Sequence, residues 1–348
     1  YQLDLEMSFV DEEDVYEVGQ KIFYNIFTHF SDKEVSPIPF KRIPYKEAML
    51  KYGSDKPDLR NPLLIEDLTT ILSKSTFEPF KALNIRGIKV DNIDKSNSWY
   101  KKIEEYIKSL GATGMSYIKV NEDMTFKSSI DKFLTDDLRK ELIEKCHLNK
   151  GSALFILADN KHKIDKLAGL LRTKLGNELD LINKNKFEFC IINDFPMYEY
   201  NEEENTWDFG HNPFSMPKGG IEALTKENME NVVAHQFDFV CNGYEMASGA
   251  VRNHNIEIMK KAFELAGYTE EDVENKFRSL YTAFQYGAPP HAGMAPGIDR
   301  ILMLLQDEEN IREMVAFPLG ANGSDQMMGC PNEVFEKQLR ETHIKIRD

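Results

Sequence analysis

An Asn-Gly step between two apolar runs constrains this chain more than any other feature. It sits in Asp238-Phe239-Val240-Cys241-Asn242-Gly243-Tyr244-Glu245. Asn and Gly tolerate the left-handed backbone that a tight hairpin turn requires at its two central positions. With a two-residue loop, Val240 stands opposite Glu245. Paired residues share a sheet face, as do residues two apart on one strand. The pattern therefore predicts an antiparallel hairpin projecting Asp238 and Glu245 from one face, with Cα atoms roughly 7–8 Å apart. Two carboxylates so placed can hold a hard cation such as Mg²⁺, as phosphate chemistry requires. The residues alone leave a second reading open, a solvated carboxylate pair on an exposed hairpin.

Two further stretches carry candidate chemistry. Small residues in Ala247-Ser248-Gly249-Ala250-Val251 let a ligand approach the backbone, and Arg252 follows them with a planar fork suited to a carboxylate. A Gly/Pro-rich turn, Gly287-Ala288-Pro289-Pro290-His291-Ala292-Gly293, leads through Gly297 to Arg300 near the start of an apolar helix. Arg300 could hold a phosphate or stack on a base, and Gly297 leaves room for a flat ring. A structural Arg300 paired with Asp299 or Glu308 is an equal reading.

The start of the chain alternates cleanly. Tyr1, Leu3, Leu5, Met7 and Phe9 point one way, and Gln2, Asp4, Glu6 and Ser8 the other, which predicts a strand over 1–10 with one face on a core. Acidic residues 11–14 open a helix to about residue 30, and a short helix over 45–52 ends at Gly53. From about 83 to 186 the pattern changes. Strands near 83–90, 115–120 and 153–158 alternate with helices near 98–110, 130–146 and 161–175, enough for a compact α+β domain. Strand-rich sequence resumes over 187–209 and 232–241, with a Pro-containing loop over 210–217. Helices are expected at 254–265, 270–284, 297–305 and 332–339.

Bulk properties narrow the class. A net charge of −15 excludes binding to nucleic acid by overall charge, so such contact would need local patches. Basic residues gather from Arg139 to Lys174, Arg172 included, but acidic ones are interspersed, which reads as a solvated helix face. Cys146, Cys190, Cys241 and Cys330 lie too far apart for a zinc or CxxC motif and read as buried thiols in a cytoplasmic protein. No apolar run approaches the length of a membrane span. The start at Tyr1, with a strand pattern beginning at once and no initiator methionine, reads as a fragment or processed form.

Together the motifs resemble one family. Gly293 to Leu304 is similar to motif 3 of class II aminoacyl-tRNA synthetases. Gln2-Leu3-Asp4-Leu5-Glu6-Met7-Ser8-Phe9-Val10 is similar to the strand after the motif 2 loop in the aspartyl enzymes. Tyr52-Gly53-Ser54-Asp55-Lys56-Pro57-Asp58-Leu59-Arg60 resembles a signature of the bacterial aspartyl branch. The resemblance implies an α+β fold, an antiparallel sheet flanked by helices. Its first part is expected at 1–80 and its second, with motif 3, at 189–348, separated by an inserted GAD-type domain at 81–188.

The activity implied is joining of L-aspartate to ATP, with Mg²⁺, followed by transfer to tRNA, in a cytoplasmic homodimer. The implied roles are specific. Gln2 and Asp4 line the amino acid pocket, with Asp4 near the ammonium. Asp238 and Glu245 bind Mg²⁺ and through it ATP. Arg252 clamps the aspartate side chain. Arg300 meets the γ-phosphate, with Gly297 beneath the adenine. His211 and Asn212 ride a mobile loop, and Asn212 replaces a second histidine common there. No protein nucleophile is needed, because the substrate α-carboxylate attacks the α-phosphate; positioning and charge neutralisation do the rest. The motif 2 arginine, motif 1 and the anticodon-binding barrel would precede Tyr1, so this chain alone is expected to be inactive. The alternative is a non-catalytic binding or regulatory fragment or paralogue.

Overall fold

The computed structural model describes residues 1–201 and 204–347 of an α+β protein. Its main strands are β1 (Leu5–Ser8), β2 (Lys41–Pro44), β3 (Ile65–Asp67), β4 (Asn84–Val90), β5 (Met115–Val120), β6 (Phe126–Lys127), β7 (Ala153–Asp159), β8 (Phe189–Asn193), β9 (Gln236–Cys241), β10 (Tyr244–Val251) and β11 (His291–Pro296). Its principal helices are α1 (Glu12–Phe30), α2 (Tyr45–Tyr52), α3 (Asn97–Ser109), α4 (Asp136–Cys146), α5 (Lys161–Glu178), α6 (Ile256–Leu265) and α7 (Ile298–Leu305). Tyr1–Gln2 with Gly297–Asp348 form one compact unit, and Leu3–Pro296 another.

The two larger sheets lie in the larger unit. The first has six strands in the order β1-β11-β10-β9-β8-β2. Every pairing is antiparallel except β8 with the edge strand β2, which is parallel. One face is covered by α1, whose start is fixed by a capping box between Asp11 and Asp14. Tyr16 meets Phe237 at 4.8 Å between ring centroids, Phe23 meets Phe239 at 5.3 Å and Phe27 meets Phe189 at 5.1 Å. Gly19 lets the helix approach: a Cβ there would lie 2.6 Å from the Phe239 ring. On the other face, Val240, Cys190, Ile192 and Ile43 pack with Ala48 and Tyr52 of α2.

The second sheet has the order β3-β4-β7-β5-β6. On one face Ile88 and Phe155 pack with Ile103 of α3 and Ile164 and Leu171 of α5. On the other, Ile85, Leu154 and Ile156 pack with Leu138 and Leu142 of α4. β7 is buried on both faces, which explains why 153–158 reads as an unbroken apolar run. β3 and the buried residues Leu68, Leu72 and Phe80 belong to this sheet and its core, so this body begins ahead of residue 81.

Several expectations need correction. Regular pairing at the start of the chain is confined to Leu5–Ser8. Phe9 takes φ 59, which ends the strand, and Tyr1, Leu3 and Phe9, all outside β1, are exposed. His291–Pro296 is a strand, not a turn, and the helix expected over 270–284 breaks at Phe277. The helix expected from 130 starts at Asp136, capped by the Thr135 side chain. The last helix runs over Glu336–Glu341. Cys330 is exposed, whereas the other cysteines are buried. Arg172 is not on a solvated face but is 2% exposed. Among the described residues no helix is long and apolar enough to cross a membrane.

Candidate functional site

The Asn242-Gly243 hairpin forms with both central residues left-handed, at φ 53 and φ 90. Val240 pairs with Glu245, and Asp238 pairs with Ser248. The register shifts between Phe239 and Val240, which leaves Met246 as the extra residue of a β-bulge. Since Phe237 and Phe239 face α1, Asp238 and Val240 face the opposite way, and Glu245 shares that face through its pairing with Val240.

Lys56 joins the two carboxylates. Its Nζ lies 3.2 Å from Asp238 Oδ2 and 3.4 Å from Glu245 Oε2, and it is bonded to Asp55 Oδ2 at 2.5 Å. The Asp238 side chain is 4% exposed, against 27% for Glu245 and Lys56, so the cluster opens to solvent at one end only. Asp238 Oδ1 is buried and has no hydrogen-bond partner. Burial raises the Asp238 carboxyl to about 6, against the lowering pull of Lys56 and with a further rise from Glu245. Burial lowers the Lys56 ammonium, but Asp238, Asp55 and Glu245 outweigh it and hold Lys56 above its ordinary range. A buried carboxyl with an unused oxygen beside a second carboxylate suits a cation. Among the described residues no group of three or more His, Cys, Asp or Glu side chains is set to hold a metal.

The loop that brings Lys56 here is fastened from the second sheet's helix α5. Gly53, at φ 67, caps α2 and lies against Gly169 of α5, and a Cβ on either would overlap the other's backbone. Arg172 of α5 donates from Nε to the Leu63 carbonyl at 2.6 Å and from Nη2 to those of Asn61 at 2.7 Å and Asp58 at 3.0 Å. Asn61 Nδ2 returns a bond to the Arg172 carbonyl at 3.0 Å. The same loop passes the hairpin turn in ordinary contact, with Asp58 Cβ 3.5 Å from where a Cβ on Gly243 would stand.

The other expected site residues are placed as follows. Arg252, at the end of β10, donates from Nε to Glu6 Oε1 at 3.0 Å, and its Nη2 bonds the same oxygen. Thus a carboxylate from β1 already engages the guanidinium. Asp4 is exposed just ahead of β1. His211 turns one side of its ring to Phe195, 4.8 Å away between centroids, and its outer edge is exposed. Burial of the inner side lowers its pKa. Asn212 accepts the Phe214 N–H through Oδ1 at 2.9 Å, which shapes its own loop, and its N–H reaches Gln236 Oε1 at 3.4 Å. In the smaller unit, Gln2 is exposed and bridges Gly297 through the backbone. Gly297 caps α7, and Arg300 lies in its first turn.

Lys56 was missed as a site residue, although it lies in a quoted motif. A lysine bonded to its neighbour Asp55 carries no local sign of a second and third acidic partner far along the chain. The basic residues expected on a solvated face are mostly paired there: Arg139 with Asp131 and Asp136, Lys145 with Glu66, Lys161 with Glu230 and Lys174 with Glu178.

Residues 1–321 match the family of class II tRNA synthetases (D, K and N). The chain belongs to that family. It is 49% identical over 99% of its length to an aspartate–tRNA(Asp/Asn) ligase of Rickettsia bellii, covering 59% of that protein. It is 47% identical to the protein of the same name from Ehrlichia chaffeensis, covering 60% of it. The chain thus spans about three-fifths of these curated relatives. Among solved structures, the asparaginyl-tRNA synthetase of Pyrococcus horikoshii overlays 92% of this chain and 49% of its own, with 12% identity and a TM-score of 0.38. The family assignment rests on the sequence match.

Proposed function

We propose that this chain carries the aspartate- and ATP-handling part of an aspartyl-tRNA synthetase, which joins L-aspartate to ATP and passes the aspartyl group to tRNA. The observation that carries the reading is the Asp238–Glu245 pair, in which a buried carboxyl oxygen without a partner stands beside a second carboxylate. The pair suits Mg²⁺, which one or two carboxylates hold together with substrate phosphates. Bound there, Mg²⁺ supplies neutralising charge to the phosphates of ATP. Arg252, oriented by Glu6, clamps the side-chain carboxylate of aspartate; asparagine would set N–H donors against the cation and is rejected. Asp4 accepts from the ammonium of the amino acid, and Gln2 keeps the amino-acid-binding role the family resemblance gives it. Gly297 and Arg300 keep the roles the family resemblance gives them, room for adenine and charge for the γ-phosphate. His211 and Asn212 sit on the loop that closes over substrate.

The same reading extends to a cytoplasmic homodimer. It makes the second sheet with its helices an inserted GAD-type domain, which we start near β3 rather than at residue 81. The high identity to proteins named as ligases supports catalysis over a non-catalytic binding module.

Aspartate-dependent ATP–pyrophosphate exchange tests the reading, measured on this chain and on a form extended upstream through motifs 1 and 2. We expect exchange in the extended form and a loss of about 100-fold or more on Asp238→Asn. Exchange indifferent to Asp238 would sink the site assignment. A folded extended protein with no exchange would favour the binding module.

A further inference from the structure

We propose that Lys56 is the resident cation of the Asp238–Glu245 pair and that a divalent cation enters by displacing its ammonium. This rests on the reading of that pair as a cation site. The geometry describes an exchangeable occupant. Lys56 is bonded closely to Asp55, its neighbour on the same loop, at 2.5 Å, and leans on the hairpin carboxylates at the longer distances of 3.2 Å and 3.4 Å. When it leaves the pair, Asp55 remains as its partner. The side chain is a compact charge on a flexible stem, and it sits at the solvent-open end of the cluster. The loop beneath it does not share that freedom, because Arg172 and the Gly53–Gly169 contact fasten it. The ammonium therefore has one docking position with an anchored base.

The arrangement has a purpose in physical terms. Asp238 is nearly fully buried beside a second carboxylate, and two such charges repel without a cation between them. Lys56 keeps the pair assembled when no divalent ion is bound. It also weakens binding of a bare divalent ion, because the ion must first displace a positive charge. Phosphates brought with the ion offset that cost, since they offer the displaced ammonium a new anionic partner. The site is thereby biased toward cation arriving with nucleotide over cation alone.

Mn²⁺ binding to the intact protein, followed by electron paramagnetic resonance without nucleotide, tests this. Lys56→Met should bind Mn²⁺ at least about tenfold more tightly than the wild type. Lys56→Arg, which keeps the charge, should stay close to the wild type. Asp238→Asn placed on Lys56→Met should abolish the gain. Equal affinity in Lys56→Met and the wild type, with binding still lost on Asp238→Asn, would overturn the displacement while leaving the cation site standing. Binding that ignores Asp238, with or without ATP, would overturn both. If Lys56→Met does not fold, acylation of Lys56 in the wild type, read by peptide mass spectrometry, gives the answer. Mn²⁺ should accelerate it several-fold, and a rate unchanged by saturating Mn²⁺ would overturn the displacement.

Discussion

Two buried or half-buried cations hold the 53–63 segment, and they are held by opposite means. Arg172 is 2% exposed and bonds three backbone carbonyls. Burial lowers its pKa to about 10, with only partial relief from Asp58. Lys56 stands among three carboxylates, which raise its pKa despite burial. Carbonyls reward geometry: a planar fork fits several of them at once, which a compact ammonium does not. Carboxylates reward charge, which another cation can supply. The contrast separates a fixed clamp, Arg172 on α5, from an exchangeable occupant, Lys56 on the loop that the clamp holds.

The largest expected effect breaks the clamp. Arg172→Met leaves the carbonyls of Asp58, Asn61 and Leu63 without their donor, and should cost about 3–5 kcal/mol in urea unfolding. Arg172→Lys should recover only part of this, because an ammonium cannot match the fork. A cost under about 1 kcal/mol would show that the carbonyls find other partners, and the contrast with Lys56 would fall.

A somewhat smaller effect concerns the carboxylates. Asp238 titrates near 6 in the folded protein against an ordinary 3.8. A folded pKa above the unfolded one means that the native state binds the proton more tightly. Stability therefore falls as pH rises from about 4 to about 6 and the deficit is constant above that. Asp238→Asn removes the titration, so it should gain stability relative to the wild type across that window, by up to about 3 kcal/mol. Parallel stability–pH curves for the two proteins would remove the strain ascribed to this carboxylate.

The smallest effect sharpens the comparison. Arg42 makes a two-pronged contact with Glu13 at 2.5 Å and 2.6 Å, as short as any bond of Lys56, but both side chains are exposed. Glu13→Gln should change stability by less than about 1 kcal/mol, and by less still in high salt. A larger loss would mean that contact length, rather than surroundings, decides the worth of these ion pairs.

Legibility in the sequence followed the range of the interaction. The Asn242-Gly243 turn and the Val240–Glu245 pairing could be read because turn torsions depend on adjacent residues. The strands at 84–90, 115–120 and 153–159 and helix α5 could be read because side-chain periodicity is local. The bulge at Met246 could not, since it depends on how the neighbouring strands settle. Short β2 and β3 left too few residues to show a period. Strand β11 was hidden by the Gly and Pro residues around it.

Which residues can become a hairpin, an amphipathic helix or a fork for carboxylate was thus determined by the sequence, because those properties belong to single side chains and their near neighbours. The tertiary structure alone decided that Arg172 is a buried clamp rather than part of a solvated face, since Asn61, whose side chain returns its bond, lies 111 residues away. It likewise decided that Lys56 stands between Asp238 and Glu245. The charge a residue carries is local, but the partners that give the charge its role come from wherever the chain returns.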